Sequence, residues 1–425
     1  IDSAIYKFNM VSGELTRIGQ VEPKARYQSL NVMKDQTGGY VLTDAGEETL
    51  YISRFSFAEP EKLEKLVHDE KWDIEEMTLS PEEKQIVYAL NEGGISKLFV
   101  YQIETEQTMA VKGTARGVIT SLAWLNEEQF IFTLQTPTSP SDIWKYSLAE
   151  EKLERLTEVS RSKEVEHLWL EPELHTFTSF DGLDIPYFYY DRNPGENKPA
   201  VVYVHGGPEN LTRADYHASI QYLVNQGFAV AAPNIRGSRG YGRTYIKLDD
   251  VRNRLDAVKD LAWLNKRLIE AHGIDPERIG IMGISYGGYM VLSSITHYPD
   301  IWAAAVDLVG MSNLRTFIEN TGPWRRRLRS FEYGTLEEDA AFFDDIAPLT
   351  LADRVKAPLL VFHGRNDSRV PLSESEQMVD ALKARNHDVN FIIFDDEGHV
   401  TSKVENRVTE NAEIVKFFKK HLLDE

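Results

Sequence analysis

A hydroxyl, a carboxylate and an imidazole occur in this chain in the order and local settings that acyl transfer requires. Ser285 stands in Gly283-Ile284-Ser285-Tyr286-Gly287-Gly288, after the apolar run Arg278-Ile279-Gly280-Ile281-Met282 and before the helical run Tyr289 to His297. A strand that turns sharply into a helix around Gly-x-Ser-x-Gly holds its serine on a strained crest, where only small neighbours fit two positions to either side. Gly283 and Gly287 satisfy this, and the flanking strand and helix argue against a chance match in a loop. A serine hydroxyl is a weak nucleophile at neutral pH, so a base must take its proton as it attacks a carbonyl carbon. In a strand-elbow-helix setting the acid and then the histidine follow the serine along the chain. Asp367 is the expected acid, in His363-Gly364-Arg365-Asn366-Asp367 just past the strand Pro358 to Phe362. His399 is the expected base, in Asp395-Asp396-Glu397-Gly398-His399 just past Phe391-Ile392-Ile393-Phe394. Asp367 would hold the imidazole in one tautomer and stabilise its cation, while His399 would take the serine proton and return it to the leaving group. Asp395 and Asp396 are rival acids, but they stand too near His399 in the chain to sit easily under its ring, and they read as solvated loop carboxylates.

A tetrahedral intermediate needs donors for its oxyanion, one from the residue after the nucleophile and one from an earlier strand-end loop. Tyr286 supplies the first backbone N–H. The second is expected from His205-Gly206-Gly207-Pro208, directly after the strand Ala200 to Val204, with Gly207 the better candidate and Gly206 next. His205 and His363 read as structural, hydrogen-bonded residues; neither has ligand partners at a metal-binding spacing, so no metal and no cofactor is expected. The glycine-rich stretch Arg236 to Gly242 lacks a phosphate-loop spacing and reads as packing.

These side chains need a scaffold that brings distant segments to one rim. After about residue 171, apolar strands alternate with amphipathic helices, the pattern of a mostly parallel, doubly wound sheet covered on both faces. Strands are expected at Ala200 to Val204, Phe228 to Ala232, Arg278 to Gly283, Trp302 to Leu308, Pro358 to Phe362 and Val389 to Phe394. Helices are expected at Asn253 to Ala271, Ser373 to Arg385 and Thr409 to Leu422, the last with Ile414, Phe417, Phe418 and Leu422 on one face. Ser285, Asp367 and His399 then all fall at carboxyl ends of strands, where such sheets place their chemistry.

Residues 1 to 170 follow a different rule. Gln28-Ser29-Leu30 to Ile52, Met77 to Tyr101 and Ile119 to Tyr146 each run apolar strand, turn, second strand and aromatic third strand into a charged hairpin. This spacing fits β-propeller blades of roughly 40 to 50 residues, three to four of them, with an unrelated β-sandwich as the alternative. Ala4-Ile5-Tyr6-Lys7-Phe8 with Ser12 to Thr16 matches the last two strands of a blade, so the chain is expected to open mid-blade.

At 425 residues the chain exceeds what a single core of roughly 250 to 300 residues usually spans, so two domains are expected, 1–170 and 171–425. Its 47 Lys and Arg against 67 Asp and Glu give a net charge of −20, which disfavours phosphate backbones and anionic lipid surfaces; no nucleic acid and no membrane is expected as partner. Homo-oligomerisation is left open. The absence of cysteine excludes disulfides and thiolate chemistry and suits the cytoplasm, the expected location; the chain begins without Met, which leaves room for a preceding segment.

With these motifs in hand, the chain resembles the prolyl oligopeptidase family of serine peptidases, especially its acylaminoacyl-peptidase-like branch. The resemblance rests on His205-Gly206-Gly207-Pro208, Asn234-Ile235-Arg236-Gly237-Ser238 with Gly240-Tyr241-Gly242, the Ser285 elbow, Asn366-Asp367-Ser368-Arg369-Val370-Pro371 and Glu397-Gly398-His399. It implies an α/β-hydrolase fold preceded by a propeller that limits access to short peptides or acylated amino acids. It further implies that Arg369 anchors a substrate carbonyl, and that Val370 with the aromatic residues Phe317 and Trp324 lines the pocket for the residue before the scissile bond. Arg325-Arg326-Arg327 reads as a solvated helix face. Two departures stand out: the family's propeller has about seven blades, and no paired-glutamate segment of the dipeptidyl-peptidase branch is present, since Trp72-Asp73-Ile74-Glu75-Glu76 reads as the start of a blade. The activity expected is release of acylated or free amino-terminal residues from short peptides. A carboxylesterase with the same three residues is the alternative, and a catalytically silent propeller binding protein a third reading.

Overall fold

The computed structural model describes residues 2–159 and 165–423, which form two compact units. One unit comprises the chain to His167 together with Arg213–Tyr216 and Arg239–Tyr245; the other comprises the remainder from Leu168 onward.

The first unit is a series of antiparallel meanders. Strands β1 (Ile5–Phe8) and β2 (Leu15–Ile18) form a two-stranded ribbon. Three four-stranded sheets follow: β3 (Tyr27–Val32), β4 (Gly38–Thr43), β5 (Tyr51–Ser56) and β6 (Leu63–Val67); β7 (Ile74–Leu79), β8 (Gln85–Glu92), β9 (Ile95–Gln102) and β10 (Gln107–Ala110); β11 (Val118–Asn126), β12 (Gln129–Thr136), β13 (Ser139–Ser147) and β14 (Lys152–Arg155). Each pairs in sequence order, and each packs its face on the next. Val41 and Phe55 of the first sheet meet Ile18 of the ribbon. Leu42 and Ile52 meet Ile86 and Tyr88. Val87 and Val100 meet Phe130 and Phe132. Sandwiching explains the strand compositions: β4 and nearly all of β8 are buried on both faces, whereas the last strand β10 is exposed throughout. The β8–β9 hairpin turns on Gly93 and Gly94 with φ of 60° and 90°, the mirror-image turn that matches strand twist. Three four-stranded sheets and a two-stranded ribbon packed face on face are the blade pattern of a propeller. Of the Trp72 to Glu76 segment, Asp73 ion-pairs with Arg26 and Glu75 with Arg213.

The second unit holds one eight-stranded sheet in the order β15-β16-β18-β17-β19-β20-β21-β22. From β17 (Lys198–Val204) and β18 (Ala229–Pro233) through β19 (Ile274–Ile284), β20 (Ala304–Leu308), β21 (Leu359–Gly364) and β22 (Val389–Phe394) the strands run parallel. At the other edge β15 (Glu173–Thr178) and β16 (Asp184–Tyr190) pair antiparallel, an extension that the alternation of strand and helix did not signal. Helices α1 (Ala218–Asn225), α2 (Arg254–His272), α3 (Tyr286–His297), α4 (Leu314–Asn320), α5 (Pro323–Tyr333), α6 (Leu336–Asp345), α7 (Ser373–Lys383) and α8 (Val404–Leu422) join or flank these strands. Ile414, Phe417, Phe418 and Leu422 of α8 are buried, and a side chain at Gly280 of β19 would meet the Phe418 ring at 2.6 Å, so α8 lies directly on the sheet. No helix among the described residues is long and apolar enough to cross a membrane.

Candidate active site

Strand β19 ends where the chain must reverse into α3, and Ser285 sits on the reversal with φ 59° and ψ −114°. A non-glycine residue keeps such a conformation only when its surroundings enforce it. The enforcement is visible: the Ser285 N–H donates to the Leu308 carbonyl at 2.8 Å, and the neighbouring glycines leave no space for side chains. A Cβ on Gly287 would lie 2.1 Å from the Val204 carbonyl, and one on Gly283 would lie 2.4 Å from the Gly287 carbonyl. The elbow glycines are therefore steric requirements of the turn.

The three residues spaced far apart in the chain meet. Ser285 Oγ lies 3.0 Å from His399 Nε2, and His399 Nδ1 lies 2.7 Å from Asp367 Oδ2. The carboxylate fixes the tautomer: Nδ1 donates to it, leaving Nε2 as acceptor for the serine proton. Asp367 Oδ1 accepts the backbone N–H groups of Arg369 at 2.7 Å and Val370 at 3.0 Å. Burial alone would raise its pKa, but hydrogen bonds with His363 and His399 and the backbone donors outweigh burial and hold the carboxyl well below the usual carboxylate range.

Both loops bearing these groups are tied down. Arg365 N–H donates to the Phe394 carbonyl and Asn366 N–H to the Glu397 carbonyl, each at 2.9 Å. A Cβ on Gly364 would lie 2.1 Å from the Gly398 carbonyl, so only glycine allows the acid loop to approach the histidine loop. The buried Glu397 carboxylate accepts the N–H groups of Ser402 and Lys403 and the amide of Asn406, closing the turn around His399. Behind Asp367, His363 hydrogen-bonds Ser375 Oγ at 2.7 Å and the Val370 carbonyl at 3.1 Å. His205 is buried and hydrogen-bonds Ser238 Oγ at 2.9 Å. Asp395 pairs with Arg365 and Asp396 with Lys403, both on the surface.

The His205 to Pro208 loop borders the elbow. A side chain at Gly206 would come 3.0 Å from the Ile284 carbonyl and 3.5 Å from Ser285 Cβ, so the bare backbone of this loop lies beside the serine. Gly207 has φ of +136°, and its carbonyl accepts from Arg329 Nη1 at 3.4 Å. Val370 and Phe317 are buried, the latter edge-on to Tyr333. Trp324 is 69% exposed with Arg325 stacked on its ring, and Arg369 is exposed, its carbonyl accepting from Thr321 Oγ1 at 3.4 Å. The structure thus makes Phe317 an interior residue and Trp324 a surface one. Arg325-Arg326-Arg327 is not a uniformly solvated face: Arg326 and Arg327 are exposed, while Arg325 is half-buried.

Beneath the elbow lies a charged cluster that sequence reasoning missed. The Tyr286 hydroxyl donates to Asp249 Oδ2 at 2.7 Å and accepts from Arg254 Nη1 at 2.9 Å. Arg254, fully buried at the start of α2, also pairs with Asp249 and donates to the carbonyl and carboxylate of Glu332 at 2.7 and 2.8 Å. The carboxylates of Asp249, Asp250 and Glu332 converge within 4.8 Å, a grouping that could hold a cation, and the Arg254 guanidinium is the cation paired with two of them. Charged residues at the start of an amphipathic helix ordinarily face solvent, so only the apolar surroundings seen in three dimensions reveal this role.

The fold is that of an α/β hydrolase following propeller blades, with a Ser–His–Asp hydrogen-bond chain at the strand ends. Residues 214–425 match the model of the prolyl oligopeptidase family. The chain is 36% identical over 223 residues to the dipeptidyl aminopeptidase BIII of Pseudoxanthomonas mexicana, covering 50% of this chain and 32% of that protein. It is 29% identical over 244 residues to the acylamino-acid-releasing enzyme of Sus scrofa, covering 55% and 33% respectively. The chain thus spans about a third of the length of these curated relatives. A solved structure of a Mycobacterium tuberculosis puromycin-hydrolyzing peptidase shares the fold with a TM-score of 0.86 at 22% identity, over 96% of this chain and 64% of that one. The chain belongs to the prolyl oligopeptidase family.

Proposed function

We propose that this chain is a serine peptidase that hydrolyses short peptides or acylated amino acids through an acyl-enzyme. Ser285 Oγ attacks the scissile carbonyl carbon while His399 Nε2 takes its proton, and the ionised Asp367 stabilises the resulting imidazolium through Nδ1. The backbone N–H of Tyr286 and that of Gly207, with Gly206 as the alternative, donate to the oxyanion. His399 then gives its proton to the departing amine, the acyl group stays on Ser285 Oγ, and water activated by the same imidazole releases it. Arg369 holds a substrate carbonyl, and Val370, over a floor that includes Phe317, borders the pocket for the residue before the scissile bond, with Trp324 at its rim.

The observation that carries the reading is the pair of hydrogen bonds, 3.0 Å from Ser285 to His399 and 2.7 Å from His399 to Asp367, formed at a residue held at positive φ. A hydroxyl in this setting has a base and an orienting acid, which a structural serine does not need. Relatives named as a dipeptidyl aminopeptidase and an acylamino-acid-releasing enzyme support amide bonds as substrate. Acetyl-aminoacyl anilides, free aminoacyl anilides and nitrophenyl esters, assayed side by side, test the proposal. Turnover of either anilide is expected; turnover of esters alone would replace peptidase by carboxylesterase.

A further inference from the structure

Three arginines stand on elements that border the proposed nucleophile, and none of them forms an ion pair among the described residues: Arg325 and Arg329 on α5, and Arg369 on the acid loop. Arg325 and Arg329 stand four residues apart on α5 and therefore share a helix face, and both are half-buried, in contrast to Arg326 and Arg327. Arg329 packs 5.8 Å from the Phe317 ring centroid and 5.7 Å from that of Tyr333, and its Nη1 reaches the Gly207 carbonyl in the loop beside Ser285. Arg369 enters from the acid loop, its N–H on Asp367 and its carbonyl on Thr321, just before α5. Thr321, bonded to the Arg369 carbonyl, stands four residues before Arg325, so the acid loop meets the start of α5; burial, and then repulsion from Arg329 and Arg369, lowers the Arg325 pKa against the attraction of Asp367.

Among the described residues, none of the three has a carboxylate within 4.0 Å. Elsewhere in the same unit Arg236, Arg252, Arg254 and Arg315 each have one. In a chain with 67 acidic residues, three arginines without an ion pair along one rim are not a matter of shortage. Arg325 and Arg329 are half-buried like charges and destabilise one another, and an anion arriving beside them and the exposed Arg369 offsets that repulsion while gaining charge-assisted hydrogen bonds.

We propose that Arg325, Arg329 and Arg369 form a carboxylate-binding subsite, so that the enzyme prefers substrates carrying an anionic group close to the scissile bond. This rests on the serine peptidase reading of the site. The carboxylate can come from an acidic side chain at the residue before the scissile bond or from the free carboxyl terminus of a short peptide.

Turnover and binding, measured separately, test it. Acetyl-Glu and acetyl-Gln anilides compare the side-chain source; acetyl-Ala-Ala-Ala and its carboxamide compare the terminal source. Charge-assisted hydrogen bonds of about 1.5–3 kcal/mol correspond to roughly 10- to 100-fold in kcat/KM for the anionic member of at least one pair. Arg325→Gln with Arg329→Gln should bring that ratio to about 1, whereas Arg327→Gln, on the solvent face, should leave it unchanged. Calorimetry on the Ser285→Ala protein with acetyl-Glu-anilide, acetyl-Gln-anilide, acetyl-Ala-Ala-Ala and its carboxamide reads the same preference without chemistry. Equal binding within both pairs overturns the subsite even if every substrate is turned over; preferential binding without turnover by the unsubstituted enzyme upholds the subsite and overturns the peptidase reading.

Discussion

At the scale of single residues, the account depends on three atoms whose protonation states must differ at one pH. The Ser285 hydroxyl carries its proton, His399 Nε2 is free to receive it, and Asp367 remains charged because four donors surround a carboxylate with no exposed side-chain surface. Asp367→Asn preserves the shape, but an amide can present its N–H to Nδ1 and select the wrong tautomer. We expect kcat to fall roughly 10³- to 10⁴-fold with little change in KM. A loss below about tenfold would mean that the carboxylate does not orient the imidazole. That Ser285, Asp367 and His399 would meet was legible because each sits in a local motif with its own steric or chemical reason. Arg254 and Arg325 were not, because a charged residue in a helical run is read as solvated unless its surroundings are known. What decides their roles is burial, which only the packed structure supplies: Arg254 is wholly inside, and Arg325 is half-buried.

At the scale of elements, the sheet converts separation along the chain into proximity. Parallel strands β19, β21 and β22 all release their loops at the same rim, so the elbow, the acid loop and the histidine loop converge. Strand β20 lies between them and carries a carboxyl behind the elbow: Asp307 Oδ1 accepts the Gly310 N–H at 2.9 Å, and Oδ2 has no partner among the described residues. Complete burial pushes the Asp307 pKa up to about 7, against the opposing influence of His363 and the Gly310 N–H. An unfolded aspartate loses its proton near pH 4, so between roughly pH 4 and 7 the folded state holds a proton the unfolded state releases, and stability falls as pH rises through that window. Asp307→Asn removes this contribution; its stability relative to the unsubstituted protein should improve from pH 4 to pH 7 by on the order of 2–4 kcal/mol. Denaturant unfolding at the two pH values measures it, and an unchanged difference would show that Asp307 is ionised in the fold. The parallel strands and the blades were legible from apolar runs and repeated hairpins. The antiparallel edge β15–β16 was missed because its tyrosine-rich strand precedes any helix and lacks the strand–helix alternation used as the signal. Helices α4 and α6 were missed because seven and ten residues offer few turns over which a period can show, and of α5, which supplies the guanidinium beside Gly207, only Arg325 to Arg327 was read as helical.

At the scale of the whole molecule, the chain carries a net charge of −20, and the proposed arginine subsite would act on substrates in the opposite sense. The long-range field repels anions and decays over about 10 Å at 0.1 M salt, while the local guanidinium groups act only at contact. The central claim also belongs to this scale, because Ser285, Asp367 and His399 become a reactive group only when more than a hundred residues of intervening chain are folded. The most direct measurement is covalent labelling with a fluorophosphonate followed by mass spectrometry of the digested protein. The account predicts one adduct per native chain, on the peptide containing Ser285, absent after unfolding in denaturant and absent from Ser285→Ala. A native protein that stays unlabelled, or carries the adduct on another serine, would contradict it.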